Sequence, residues 1–120
     1  IHLMHESSSG KVAGVAILLT AGKPNATIQQ IVDRMPTAVG PEHEIPGVEI
    51  DPAGMLPRNL SYYTYMGSLT APPCTESVVW FVLKTPVEIS RAQLAAFAKI
   101  YPRNVRPPQP LNGRIVKESQ

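Results

Sequence analysis

The chain has 120 residues, of which 43% are hydrophobic and 17% charged, and its formal net charge is +2. This length allows one domain with a modest core, and the composition is typical of a globular protein. So small a net charge does not favour binding to nucleic acid or to a membrane surface, and no apolar run approaches the ~20 residues of a membrane-spanning helix.

The first predicted elements are two strands that form an antiparallel hairpin. Residues 1–6 alternate with the two-residue period of a strand, and a turn rich in serine follows them. The apolar run 11–21 predicts a central strand that is buried on both faces and is closed by Gly22 and Pro24.

Two amphipathic helices are predicted, each preceded by a polar residue that can cap its N-terminus. Asn25 precedes a helix over residues 26–35, and Ser90 precedes a helix over residues 91–100. Apolar residues at helical spacing predict the buried face of the second helix, which comprises Leu94, Phe97, Ala98 and Tyr101. Residues 52–56 predict a short helical turn between the two helices.

Further strands are predicted over residues 60–65 and 77–83, which are rich in aromatic and β-branched side chains, and over residues 114–116 at an edge. Thirteen prolines in clusters interrupt regular structure because they remove amide donors. The sequence therefore predicts a β-rich fold with long ordered connections rather than a helix bundle.

The loop between the two aromatic-rich strands is the strongest candidate for a functional site. A turn threonine such as Thr70 ordinarily bonds its own backbone. Here Gly67 allows a tight bend before it, and Pro72-Pro73 stiffen the chain after it. A hydroxyl on so stiff a loop can accept a hydrogen bond from a metal-bound hydroxide and donate a hydrogen bond to a carboxylate.

The histidines do not form a metal site by spacing alone. His2 and His5 are three residues apart on a strand, so they lie on opposite faces and cannot both reach one metal ion. Spacing therefore favours structural roles for both, and His43 between two glutamates is typical of a solvated surface residue. The chain has no glycine-rich phosphate loop, no Cys-x-x-Cys and no serine nucleophile elbow.

The segment 63–76 and the apolar run 78–83 resemble the signature of the α-class carbonic anhydrases. The resemblance extends in the same order over the whole chain, and its further matches are 1–5, 12–22, 51–57, Pro86, Ser90, Gln93 and 104–111. It implies a mainly β (α+β) fold with a large twisted, mostly antiparallel sheet and peripheral helices. Residues 1–120 would be the C-terminal part of one such domain, with its N-terminal part missing.

The resemblance also implies a role for individual residues. His2 would be a zinc ligand, in contrast to the role its spacing favours, and Thr70 would orient the zinc-bound hydroxide. His5 would be a packed core histidine. The side of the cavity that holds carbon dioxide would be lined by Met4, Gly14, Leu69, Ala71, Val78 and Trp80. Gly14 would stand where the family has a larger apolar residue, and Ala71 would replace a second threonine.

The single cysteine, Cys74, is by itself either a buried free thiol or half of a disulfide. The resemblance implies the second: bacterial secreted members of the family join this cysteine to an N-terminal one, which implies a periplasmic or secreted protein. It also implies a cis peptide bond between Pro72 and Pro73.

Several parts of the family's zinc site are absent from this sequence. A catalytic zinc needs three protein ligands and an open position, but the chain contains no His-x-His and no histidine that matches the family's proton shuttle. The acidic residue that the family has just before the position of Ile1 is not in the sequence either. We expect these upstream, so that the parent protein hydrates carbon dioxide to bicarbonate and this chain alone is inactive. The alternative is a zinc-free carbonic anhydrase-like binding or structural module, which an upstream His-x-His would exclude.

Overall fold

The structure of the chain is a computed structural model, which describes residues 1–38, 40–42 and 44–120. His43, predicted to be a surface histidine, lies outside the described residues. The described elements are β1 (His2–Glu6), β2 (Val12–Ala16), β3 (Leu19–Ala21), α1 (Ala26–Val32), a 3₁₀ turn (Pro52–Met55), β4 (Tyr62–Ser68), β5 (Glu76–Leu83), β6 (Val87–Ile89), α2 (Arg91–Ile100) and β7 (Lys117–Glu118). No helix in this part of the chain combines the length and apolar character needed to cross a bilayer.

The chain divides into two compact units. The first comprises Ile1–Leu18, Pro57–Val87 and Val105–Gln120, and the second comprises Leu19–Leu56 and Glu88–Asn104. Whether residues 1–120 are part of one larger domain, as the sequence predicts, stays a prediction.

In the first unit, five of the described strands form one mixed sheet in the order β1-β2-β5-β4-β7. β1 and β2 pair antiparallel, which confirms the predicted hairpin, and β4 pairs antiparallel with both β5 and β7. β2 and β5 form a parallel pair. The sheet is thus mostly antiparallel, as predicted, with one parallel exception at its centre.

The prediction of one continuous strand over residues 11–21 is wrong. β2 belongs to the five-stranded sheet, whereas β3 pairs with β6 in a separate two-stranded sheet. Between them Ile17 is buried, but Leu18 and all of β3 are exposed. An unbroken apolar run contains no signal for the point at which a chain passes from one sheet to another.

Other boundaries differ by a few residues. β4 begins at Tyr62 and continues to Ser68, beyond the predicted end, and the helix predicted over residues 26–35 ends at Val32, where a turn follows. The edge strand predicted over residues 114–116 lies at Lys117–Glu118 instead. The guanidinium of Arg114 donates to Pro110 O and Leu111 O just before it and to Met66 O on β4, and residues 114–116 form no strand.

The core of the first unit lies on one face of the sheet. Directly paired residues of neighbouring strands have their side chains on the same face, and Trp80 on β5 is paired with Gly14 on β2 and Tyr65 on β4. We call this face, with His2, Met4, Gly14, Val78, Trp80, Tyr65 and Gly67, the Trp80 face. Its buried cluster is Ala16, Val78 and Trp80, packed against Val12, Tyr65, Leu69 and Val82.

In the second unit, both helices begin where the sequence predicts. The side chain of Asn25 accepts a hydrogen bond from Ile28 N (2.9 Å), and Ser90 forms a reciprocal capping box with Gln93. These caps satisfy amide donors that the first turn of a helix leaves without partners.

The buried side of α2 is not the predicted one. Leu94, Phe97 and Tyr101 are 38–50% exposed, and Ala98 is exposed as well, whereas Gln93 is only 3% exposed. Gln93 Nε2 donates to Asn25 O (2.7 Å) and to Gln29 Oε1 (3.0 Å), and its Oε1 accepts from Asn25 N (3.1 Å) and Ser90 N (3.0 Å). One amide side chain therefore joins the N-termini of α1 and α2.

Candidate functional site

The indole ring of Trp80 lies over a glycine on each neighbouring strand. A Cβ atom on Gly14 would be 2.6 Å from Trp80 Cζ3, and one on Gly67 would be 2.8 Å from Trp80 Cδ1. Both distances are too short for a real contact, so the ring fills the space that a side chain at either position needs. The glycines of β2 and β4 thus form the floor on which Trp80 packs.

His2 contacts the same ring from β1. The centroids of the two rings are 4.7 Å apart with an interplanar angle of 65°, an edge-to-face arrangement. Desolvation by burial lowers the pKa of His2. Neutral imidazole, which is the form that binds a metal ion, is therefore favoured near neutral pH.

His5 is on the opposite face from His2, as the strand period predicts. It is not a packed core histidine, however, because its side chain is exposed on the outer strand of the sheet. Its Nδ1–H donates to the carbonyl of Leu3 (3.1 Å), a local bond that keeps the ring close to its own strand.

The structure brings most of the predicted apolar residues together. Met4 is paired with Gly14 on the Trp80 face and is 44% exposed, and Val78 is buried there. Leu69 packs against the buried cluster from the loop that follows β4. Ala71 is exposed in the turn beyond it and has no described contact with this cluster.

The loop after β4 is closed by its own backbone. Leu69 N donates to Thr75 O and Cys74 N donates to Ala71 O, both at 2.9 Å. The Pro72–Pro73 bond is cis, which agrees with the family resemblance.

Thr70 is exposed within this loop. Its hydroxyl and its backbone N–H have no hydrogen-bond partner in the described part of the chain. The bond to its own backbone that is usual for a turn threonine is therefore not observed.

Ser68 and Arg106 are part of this site, although no role was predicted for either residue from the sequence. Trp80 Nε1 donates to Ser68 O (2.9 Å), and Arg106 Nη1 donates to the hydroxyl oxygen of Ser68 (2.7 Å). The Ser68 hydroxyl in turn donates to Leu69 O (3.0 Å). Nothing in the spacing of the sequence indicates that Arg106, in the extended C-terminal segment, reaches this loop.

A cavity of about 430 Å³ lies beside Ser68. Arg106, Arg114 and Glu76 are among its lining residues, but none of the predicted site residues is. Arg114 donates to Met66 O (3.2 Å) and so attaches the C-terminal segment to β4. The cavity therefore adjoins the site at Ser68 and Arg106, but the predicted zinc ligand and substrate-binding residues do not line it.

The described residues do not form a complete metal site. No group of three or more His, Cys, Asp or Glu among them is close enough to hold an ion. His2 is the one predicted zinc ligand that this chain supplies. Cys74 is a partly buried free thiol with φ of 57°, and the sequence contains no second cysteine with which it could pair.

Comparison with known sequences gives one family. The profile of the eukaryotic-type carbonic anhydrases matches residues 3–120. A carbonic anhydrase of Nostoc sp. is 46% identical over 119 residues, which are 99% of this chain and 45% of that protein. A carbonic anhydrase of Klebsiella pneumoniae is 40% identical and covers 98% of this chain, with 48% of its own length matched.

Solved structures with the same fold are also carbonic anhydrases. The α-carbonic anhydrase of Thermovibrio ammonificans, in complex with the inhibitor sulfanilamide, superposes with a TM-score of 0.89 at 41% identity, over 96% of this chain and 51% of that one. A hyperthermostable carbonic anhydrase from a hydrothermal vent chimney gives a TM-score of 0.91 at 32% identity, over 99% and 53%. The chain thus spans about half the length of the relatives it matches.

Proposed function

Because this chain belongs to the α-class, eukaryotic-type carbonic anhydrase family, we propose that the protein of which it is part catalyses the reversible hydration of carbon dioxide to bicarbonate and a proton. The observation that carries the proposal is the Trp80 face. There His2, the proposed zinc ligand, contacts the ring of Trp80 beside a buried apolar cluster. This contact supports the proposal, because an imidazole, which is a side chain able to bind a metal ion, lies next to apolar side chains of the kind that suit an apolar substrate.

The chain's own residues bind and orient the reactants in this proposal. Trp80, Val78 and Leu69 hold carbon dioxide by dispersion contacts and exclude water from its surface. The hydroxyl of Thr70, which has no partner within the described residues, accepts a hydrogen bond from the attacking hydroxide. That bond selects which lone pair faces the carbon atom.

Zinc is the cofactor of the proposal, and its contribution is a hydroxide at neutral pH, because it lowers the pKa of bound water to about 7. A catalytic site of this kind has three protein ligands. His2 fits as one ligand, and the residues described here supply no second and third. We therefore propose that these come from a part of the protein outside this chain.

A direct consequence is that the 120-residue chain alone has no hydratase activity. One imidazole cannot retain a catalytic zinc ion against water and buffer, since the family's site needs three ligands. Stopped-flow hydration of carbon dioxide, with zinc added to the chain, should give the rate of the same zinc concentration without protein. A rate well above that control would show that this chain completes the site by itself.

In the longer protein, replacement of Thr70 with alanine should lower turnover by about 10- to 100-fold, because the nucleophile is then no longer aligned. Zinc content, measured by atomic emission, should not change, since Thr70 is not a ligand in the proposal. The matched control is Thr20→Ala, which removes an exposed hydroxyl from β3. Loss of zinc together with activity would assign Thr70 a structural role instead.

Two further parts of the proposal concern Cys74 and the alternative function. We propose that Cys74 pairs with a cysteine outside this chain in a periplasmic or secreted protein, which fits its partial burial next to the Thr70 loop.

The second candidate, a zinc-free binding or structural module, is supported by the incomplete ligand set of the described residues. Zinc analysis of the longer protein separates the two, because only the enzyme retains one equivalent.

A further inference from the structure

Three hydrogen bonds meet at Ser68, immediately before the Thr70 loop. Its carbonyl oxygen accepts from Trp80 Nε1 (2.9 Å), its hydroxyl oxygen accepts from Arg106 Nη1 (2.7 Å), and its hydroxyl donates to Leu69 O (3.0 Å). A guanidinium group can only donate, and a serine hydroxyl has one proton. The bond from Arg106 therefore occupies a lone pair of the hydroxyl oxygen and leaves its proton for Leu69 O.

The bond to Leu69 O determines the orientation of the peptide group that joins Leu69 to Thr70. In a planar trans peptide, the carbonyl and the next N–H point in opposite directions. With Leu69 O held toward Ser68, the N–H of Thr70 points away from Ser68. Neither this N–H nor the Thr70 hydroxyl has a partner within the described residues, so both donors are available to a ligand.

Arg106 has no competing ionic partner in the described part of the chain. The salt bridge found there joins Lys84 to Glu118, and Arg106 is half-buried against Ser68. A hydrogen bond from a charged donor is shorter and stronger than a neutral one, in agreement with the 2.7 Å distance. It also polarises the hydroxyl, which strengthens the next bond to Leu69 O.

We propose that Arg106 and Ser68 are positioning residues for the hydration reaction, and that they act by orienting the Leu69–Thr70 peptide. The proposal rests on the proposed function, and it assigns a role in the reaction to the C-terminal segment that carries Arg106. Neither residue is expected to touch zinc or carbon dioxide. Their contribution is to keep the backbone N–H of Thr70 in the direction that the reacting groups require.

The first test measures whether Arg106 affects the hydrogen bond between Trp80 and Ser68, and it does not depend on hydration activity. The chain has a single tryptophan, so its indole N–H gives one resonance in a ¹H–¹⁵N spectrum, and this group donates to Ser68 O. Arg106→Gln should shift that resonance, because Ser68 loses the bond that holds its side chain. Arg58→Gln is the matched control, since it removes the same charge from an exposed residue without a described side-chain bond.

The second test is a double-mutant cycle on the turnover of the zinc-loaded longer protein. Ser68→Ala and Arg106→Gln should each lower kcat by about 10-fold, with KM and zinc content unchanged, because the loop is misaligned while the ligands are intact. The double variant should have a kcat no lower than that of either single variant, since each substitution breaks the same series of hydrogen bonds from Arg106 through Ser68 to Leu69 O. Arg106→Lys, which keeps a charged donor, should recover part of the lost turnover.

Several results would overturn the proposal. The first is an indole resonance that stays unchanged in both Arg106→Gln and Arg58→Gln. The second is a double variant whose loss of kcat is the product of the losses in Ser68→Ala and Arg106→Gln. The third is loss of zinc from either single variant. If the unaltered longer protein hydrates no carbon dioxide, the proposed function fails. The resonance still decides whether Arg106 positions Ser68, so the two failures are distinguishable.

Discussion

Replacing Gln93 with alanine is expected to lower the free energy of unfolding by about 3 kcal/mol, because it leaves several polar groups without partners at once. The lost bonds are the two donated by Nε2, to Asn25 O and Gln29 Oε1, and the two accepted by Oε1, from Asn25 N and Ser90 N. Urea unfolding followed by circular dichroism measures the change. Gln30→Ala is the control, since Gln30 is exposed on α1 and its side chain makes no described hydrogen bond.

The variant Gln93→Glu separates the donated bonds from the accepted ones. The introduced carboxyl keeps both acceptor positions but places an oxygen opposite Asn25 O and Gln29 Oε1, so the protonated form is favoured and its folded-state pKa is raised. The stability of this variant should therefore be greatest below the unfolded pKa of about 4.3, and should fall as the pH rises through the folded-state pKa. A stability equal to that of the unaltered chain at neutral pH would contradict the assigned hydrogen-bond directions.

Replacing Gly14 with valine is expected to cost about 2 kcal/mol of stability, because the new side chain overlaps the ring of Trp80. The ring cannot move freely, since Nε1 donates to Ser68 O and the adjacent Cδ1 lies over Gly67. Either the ring tilts or the strands separate. The emission of the single tryptophan reports such a change directly, and urea unfolding gives its free energy.

The matched control for this substitution is Gly40→Val. Apart from its chain neighbours, no atom of the described residues lies within 4 Å of a Cβ placed on Gly40, so the same added side chain meets none of them. We expect the control to leave both the emission spectrum and the unfolding midpoint close to those of the unaltered chain. Identical spectra for the Gly14 and Gly40 variants would mean that Trp80 does not pack on β2 in solution.

The elements of the fold were predictable where local signals and tertiary packing agree. Asn25 and Ser90 cap the helices that they precede, and alternation indicates the hairpin of β1 and β2. The face of α2 was not predictable, because helical spacing describes which apolar residues are adjacent and not whether another element covers them. Gln93 is buried because its amide satisfies four backbone and side-chain partners, which the sequence does not show.

The candidate site was predicted through the family resemblance rather than through spacing. Spacing alone favoured a structural role for His2, and the structure places it against Trp80 on the face that carries Gly14 and Val78. The resemblance gave no role to Arg106. Its contact with Ser68 depends on how the C-terminal segment passes β4, and local sequence patterns contain no information about such a long-range contact.

The parallel pairing of β2 with β5 has a consequence for how fast this sheet can assemble. β1 with β2, and β4 with β5, are antiparallel pairs formed between neighbouring stretches of chain, whereas Val12 pairs with Val78. Bringing such distant residues together costs loop-closure entropy before any contact compensates for it, and high contact order slows folding. The two hairpins can therefore form early and independently. We expect their union along Val12–Ala16 and Val78–Val82 to limit the rate at which the sheet is completed.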